Sequence, residues 1–574
     1  MPFSRDELEG GQLVWLLELQ LRGKVYRFST DVIEVPSGDT SHGPAAYHYK
    51  AGLEFLEYED VVGVMEADAS SREVSLSVQF QSGQQEGWTS ITDTGRDVGQ
   101  ARGELSLILR GMNHKQRHVI VEGFLDGMSY GSQREPVEFT LTQSDYLDPI
   151  KFPPDTHVID HISFPQFTTA GNTISHDDAA RGEVYPQIFG KPGTNPPRAW
   201  WGQAAGVFKA SPGLLIEIDL TTEDNSVNAA GVMVAGHEIL DTAPGSATRG
   251  SVVVFHDDWA EPIVANVLNK TDGRGQITSW VVIGSVSLGV SGGSVSTPIS
   301  VGDELWIGWK NAVGRARDDK GGYLHGAGEI IEFMLEQSGL KVDKLRSRQP
   351  LREVNDYALD FWINEQRSPW ELISEDILPF LPLSAYVRED GLSFVYWNWA
   401  ATKQDATEQI NIQEQFGDRT GPVDVSSISE LYNTITLEYC MTGPDGNYRK
   451  RLTYTHDNYE REPFVTFNPY SYASYTRYGK REAPVMQAPT VERDETASAI
   501  LDWMIRYYGQ TRRTVTYRLG QKYQSLEPGH VVTLTDAEIG FNEVVCLVSG
   551  LVRAPGLTEV TFTTVPNWAT DARV

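Results

Sequence analysis

Two histidines four residues apart, in His157-Val-Ile-Asp-His161, could hold one metal ion from adjacent turns of a helix. The glutamate that a metalloprotease helix carries beside the first histidine is missing. Pro153-Pro154 just upstream favours extended chain, so a loop is the plainer reading. His176-Asp-Asp178 and His256-Asp-Asp258 also group metal-ligating types, but each sits next to turn residues and reads as a solvated loop. Asp272-Gly273 and Asp318-Asp-Lys-Gly321 stop short of the calcium-loop pattern. Gly289-Val-Ser-Gly-Gly293 spells the Gly-x-Ser-x-Gly of a nucleophile elbow. The strand–turn–helix setting is absent, because Ser294-Val-Ser-Thr-Pro298 cannot open a helix. No Gly-Lys-Ser/Thr phosphate loop occurs. With 78 Asp plus Glu, no carboxylate pair stands out. The 14 tryptophans and the Tyr470–Tyr478 cluster could form a platform for sugar faces, although such rings more often fill cores or subunit interfaces. No catalytic, metal, cofactor-binding or ligand-binding residue is therefore assigned, and no cofactor is expected.

The bulk properties narrow the class. A chain of 574 residues should hold several domains. Its 53 glycines and many short strand-like runs suggest mainly β structure. A net charge of −30 argues against a nucleic-acid-binding surface; basic runs such as Arg449-Lys-Arg451 and Arg512-Arg513 are short. Two cysteines cannot form a disulfide framework or a four-cysteine site. Cys440 and Cys546 each lie in an apolar run and read as buried free thiols. Leu13-Val-Trp-Leu-Leu17 is too short for an export signal and is interrupted by Glu18; no run is long enough for a membrane helix. The expectation is a protein made in the cytoplasm without an N-terminal export signal.

The elements that would position any site follow from periodicity. Residues 1–150 read as a β-barrel or sandwich, with strands at Gln12–Leu21, Val25–Val35, Arg72–Phe80, Glu104–Arg110, His118–Phe124 and Val137–Leu141. Residues 151–323 form a second β-rich domain or insertion behind a proline-rich entry. Residues 324–400 form a small α+β module. Apolar positions 330, 331, 334 and 335 predict one helix, and 351, 354, 358, 361 and 362 a second. Ser368-Pro-Trp-Glu371 has the form of a capping box, and Glu389-Asp-Gly391 the form of a hairpin turn. Residues 401–490 read as a β domain whose Tyr470–Tyr478 segment has no clean period. Residues 491–574 read as a helix, 492–508, followed by a β-barrel. That helix offers Ile500, Trp503, Met504 and Tyr507 on one face.

The order of these pieces carries a resemblance. A β domain precedes Tyr185-Pro-Gln-Ile-Phe-Gly190, then come Ser368-Pro-Trp-Glu-Leu-Ile373 and Glu389-Asp-Gly-Leu-Ser-Phe394. The tail adds helix 492–508, Thr514-Val-Thr-Tyr-Arg-Leu519 and Leu526-Glu-Pro-Gly-His-Val-Val-Thr-Leu534. This set resembles the central baseplate hub proteins of long-tailed, non-contractile phages and gene transfer agents, which are similar to the hub of contractile phage baseplates. The resemblance covers 324–565 best and 1–150 more loosely. It implies tail-tube-like β domains and a homotrimer. Its implied partners are the tail tube or distal tail protein, the tape measure protein and a tail fibre or tip protein. It also implies a virion location after assembly in the host cytoplasm, part of a DNA conduit without stable DNA binding, and no enzymatic activity. Some relatives bind an iron–sulfur cluster, which two cysteines cannot ligate. A β-rich carbohydrate-binding or polysaccharide-processing protein is the alternative.

Overall fold

A computed structural model describes residues 7–80, 101–155 and 324–568, together with Trp88. Gaps fall at 9–10, 22, 39–43, 56–57, 62–72, 133–134, 143–149, 341, 364, 389–390, 416, 442–447, 458–463, 555 and 567. Between 155 and 324 it describes little more than ten strands, Phe167–Thr169 to Trp306–Trp309. The fold is mainly β and built from several sheets, with a helical module between them.

The N-terminal sheet has nine strands, with Leu13–Leu21 near its middle, paired antiparallel to Lys24–Ser29 and Arg102–Leu109. Side chains alternate across a strand. Trp15, Leu17 and Leu19 therefore enter one core, while Val14 and Leu16 enter another with Ile33, Val35 and Tyr49. Glu18 continues the second face, at its polar end. The single strand expected over Val25–Val35 is two strands, Lys24–Ser29 and Ile33–Pro36. Asp31 breaks it: its carboxylate accepts from the Val32 N–H at 2.9 Å, a local turn that competes with strand pairing.

Seven of the middle strands form one sheet, in the order 207–209, 306–309, 248–255, 263–271, 277–284, 227–234, 214–218. The chain leaves and re-enters the helical module at neighbouring points. Phe152 bridges Arg367, and Gln187–Phe189 pairs with Phe361–Ile363. Phe189 is fully buried and stacks on Phe361 at 5.0 Å. Gly190 follows with φ 62°, and a Cβ there would lie 2.3 Å from the Leu359 carbonyl oxygen, so the close approach requires glycine.

The first expected helix is present as Ala327–Gln337. The second is displaced: the helix is Lys344–Glu353, and 361–363 is a strand. Asp343 explains the start, since its carboxylate accepts from the Arg346 N–H at 3.2 Å. Pro350 lies inside that helix, and the pairing of Phe361–Ile363 with the returning 187–189 strand overrides the apolar spacing. The capping box at Ser368 does not form either. Pro369 takes the first helical position, but the Ser368 side chain caps nothing, and the chain winds into a π-helical turn over Leu372–Ile377. Glu371 is likewise not used; Arg367 instead pairs with Glu375 and Asp376.

The hairpin Leu383–Arg388 with Gly391–Tyr396 forms as expected. Tyr470–Tyr478 is not irregular: Pro469–Tyr478 is a helix, capped by Asn468, whose side chain accepts from the Tyr470 and Ser471 N–H groups at 2.9 and 3.2 Å. The Asp494–Tyr508 helix buries Ile500, Trp503, Met504 and Tyr507 within its own chain, in a core shared with the helical module. The Trp503 indole donates to the Phe380 carbonyl at 3.2 Å. An eight-stranded sheet closes the chain, and Tyr58–Val61 from the N-terminal region pairs with its Phe541–Ala554 strand. Cys440 and Cys546 are buried and free, and burial pushes the Cys546 thiol up to about 12. No helix among the described residues is long and apolar enough to cross a membrane.

Candidate functional site

The described residues hold no cluster of three His, Cys, Asp or Glu side chains arranged for a metal. His157, His161, the His176 and His256 clusters, Asp272-Gly273, Asp318–Gly321 and the Gly289–Gly293 elbow lie outside the described residues.

Two sets of polar groups remain to compare. The first surrounds Glu18 in the N-terminal sheet. Its carboxylate accepts from Arg27 at 2.8 Å and from the Tyr49 hydroxyl at 2.6 Å, with the His114 Nε2 at 3.2 Å. Burial alone would raise the Glu18 carboxyl, but these partners outweigh it and hold it at about 2. Burial and the neighbouring carboxylate push the Tyr49 phenol well above its usual range. Arg117 closes the set with a two-pronged contact to Glu104 at 2.7 and 2.9 Å. Every charge in this network is matched internally, so it secures the sheet.

The second set lines an open groove of about 930 Å³ near the C-terminus. One wall is the Pro469–Tyr478 helix and another the C-terminal end of Asp494–Tyr508; strand 541–554 and the segment from Thr564 to Trp568 complete it. The Tyr470 and Trp568 rings meet at 5.0 Å and 58°, and the Arg506 guanidinium lies 4.4 Å over Tyr470. Trp399 packs on Tyr507 at 4.6 Å. Among the described residues, four cations line the groove, Lys403, Arg477, Arg506 and Arg513, with one carboxylate, Glu543. That carboxylate already meets Lys403 at 2.6 Å. The indole N–H groups of Trp399 and Trp568 are buried and have no acceptor among the described residues.

Sequence reasoning pointed at the tryptophans and at Tyr470–Tyr478. The fold brings Tyr470 and Tyr478 to this groove with Trp399 and Trp568, but turns Tyr472 and Tyr475 elsewhere. Those two lie exposed near Phe464 and Phe467 in sequence; Phe467 meets Tyr472 at 6.0 Å, and Tyr475 stacks on His456 at 3.7 Å. The arginines of the groove were missed, apart from the Arg512-Arg513 pair, because 477, 506 and 513 come from three different elements.

Residues 375–545 match the family model described as "Putative phage tail protein". That stretch is similar to a family of phage tail proteins. It contains the hairpin, both late helices and most of the groove, with Thr564, Val565, Pro566 and Trp568 excepted. The chain also resembles solved tail proteins at low identity. One is the tail protein from Neisseria meningitidis MC58, at 9% identity and TM-score 0.31 over 97% of this chain and 99% of that one. Another is the 43 kDa tail protein of prophage MuSo2 from Shewanella oneidensis, at 8% identity and TM-score 0.33, over 96% and 97% of the two chains. A third is the prophage tail protein gp18 from Listeria monocytogenes EGD-e, at 8% and 0.21, over 55% and 89%. Likeness at these scores carries no functional argument. No curated protein matches the chain.

Proposed function

We propose that this chain is a structural component of a phage tail baseplate: a homotrimeric hub that joins the tail tube to the tip apparatus and encloses part of the DNA path. The observation that carries the reading is the match of the tail protein region over 375–545. Three features support it. Strand Tyr58–Val61 ties the N-terminal region into the C-terminal sheet, which suits a part that bears load. The net charge of −30 suits a wall along which DNA must slide without sticking. The exposed Phe464, Phe467, Tyr472 and Tyr475 suit a surface covered by a neighbour. On this reading the partners are further copies of the chain, the tail tube or distal tail protein, the tape measure protein and a fibre or tip protein. Its place is the virion, after assembly in the host cytoplasm, and it carries out no reaction. Residues 151–323 would form an outward unit, first cut by protease near 145–155 or 285–298.

Light scattering tests the trimer. The expected mass is three times the 63.8 kDa of one chain. A monodisperse monomer at micromolar concentration overturns it. Labelling the chain in assembled particles tests the location, and label anywhere but the tail tip overturns the hub.

A further inference from the structure

We propose that the turn at 526–530 is an acid-operated latch: a proton taken up on Nδ1 of His530 unseats the turn from the hairpin of Leu383–Arg388 and Gly391–Tyr396, and the closing sheet then parts from the helical module.

The turn sits on a seam. Gly529, at φ 85°, lies so close to the hairpin that a Cβ there would be 2.7 Å from the Val395 side chain and 3.0 Å from the Tyr396 carbonyl oxygen. On its other side the Gly529 N–H donates to the Val548 carbonyl at 2.8 Å, and the Val548 N–H donates to the His530 carbonyl at 3.0 Å. Glu527 reaches Arg346 of the Lys344–Glu353 helix at 3.5 Å, and the Val531 carbonyl accepts from the Thr407 N–H at 2.8 Å. Five neighbouring residues thus hold the hairpin, the helix and the closing strands against one another.

One contact fixes the state of the imidazole. The Glu527 backbone N–H donates to His530 Nδ1 at 3.3 Å. A backbone amide can only donate, so Nδ1 is an acceptor and the ring is neutral, with its proton on Nε2. A proton on Nδ1 would set one N–H against another, and the charged ring cannot keep this contact. Arg553 lies by the same turn, where its guanidinium donates to the Leu526 carbonyl at 2.8 Å and disfavours a second cation.

Among the described residues, the other charged or titratable groups on the groove that His530 lines are Arg346, Glu353, Tyr386, Tyr396, Asp405 and Glu527. None makes an ion pair with His530: Glu527 meets Arg346, Asp405 accepts from the Thr402 N–H at 2.8 Å, and Glu353 accepts from Gln349. Burial therefore prevails and pushes the His530 ring down to about 4. The groove is open, so solvent protons reach the ring when the turn lifts, and there it regains its ordinary 6.5. The latched turn binds fewer protons than the released one, so it weakens as the pH falls from 6.5 to about 4.

Amide hydrogen exchange on the full chain between pH 7.5 and 5, corrected for intrinsic rates, tests the latch. By pH 5 the protection of the Thr407, Glu527 and Gly529 amides should fall about 30-fold, while Leu13–Leu21 in the N-terminal sheet keeps its own. In His530→Asn, whose side-chain oxygen can accept from Glu527 but does not titrate, the fall should be less than about threefold. If that variant melts early at pH 7.5, His530→Gln carries the comparison, and the wild-type profile alone decides if neither folds. The proposal fails if the three amides keep their protection down to pH 5, if Leu13–Leu21 loses protection in step with them, or if a folded variant shows the full fall.

Discussion

The Pro469–Tyr478 and Asp494–Tyr508 helices lie side by side, joined where Arg506 covers the Tyr470 ring, and their inward faces are built from different chemistry. The longer helix buries Ile500, Leu501, Trp503, Met504 and Ile505, an apolar stripe of the usual kind. The shorter helix buries Ser471 and Ser474 and turns Tyr472 and Tyr475 to the outside. Its inner side is held by hydrogen bonds. Asn433, fully buried, donates to the Gly479 carbonyl at 2.8 Å and to Ser474 at 3.2 Å, and accepts from the Arg481 N–H at 2.8 Å. An apolar stripe thus marks where a helix meets its own core. A helix with serines inside and tyrosines outside spends its aromatic area elsewhere, here on a groove and on an exposed surface.

The largest expected effect is at Trp503. Trp503→Ala removes the biggest anchor of the apolar face and leaves the Phe380 carbonyl without its indole donor. It should cost about 3–5 kcal/mol, read by chemical denaturation. A cost below about 1 kcal/mol would break the contrast at its apolar end.

Asn433→Ala should come next, at about 2–3 kcal/mol, since it removes three hydrogen bonds of a fully buried side chain, one of them to the buried Ser474. If the short helix instead relies on apolar contact, this substitution will be nearly silent. Asn468→Ala, which deletes the cap, should cost about 1 kcal/mol and raise amide exchange over 469–473 without touching the longer helix.

Tyr472→Ser with Tyr475→Ser should change stability by no more than about 0.5 kcal/mol per site, because both rings are exposed. The same double substitution should weaken self-association or capture by tail partners. Unchanged association, measured by light scattering, would assign the outer aromatic face no role in assembly.

The smallest effect distinguishes the two helix starts by pH. Asp494 opens the longer helix, and the Lys450 ammonium, followed by the Tyr439 hydroxyl, holds its carboxyl below 3.8. A lowered carboxyl stabilises the fold above its ordinary value, and that contribution is lost as pH falls through the lowered one. The short helix has no acidic residue in its first turn. Acidification below pH 3.8 should therefore loosen residues 494–498 before 469–473 by amide exchange, and Asp494→Asn should remove the difference.

Much of the scaffold was legible in the amino-acid order. Helix 327–337, the 383–396 hairpin, helix 494–508 and the closing strands followed from apolar spacing and turn residues, because each buries a periodic face within a short window. The failures have local physical causes. Residues 361–363 have helical spacing but pair with a strand more than 170 positions earlier, and a long-range partner leaves no mark in a short window. The Pro469–Tyr478 helix was missed because its buried residues are serines, whose partner Asn433 lies far back in the chain. The groove was half visible: its aromatic residues drew notice by type, but its charge did not. Composition determined a strongly acidic molecule. Only the tertiary structure decided that Lys403, Arg477, Arg506 and Arg513 should face one space, since charge sums over the whole chain while a site depends on which few groups the fold brings within reach.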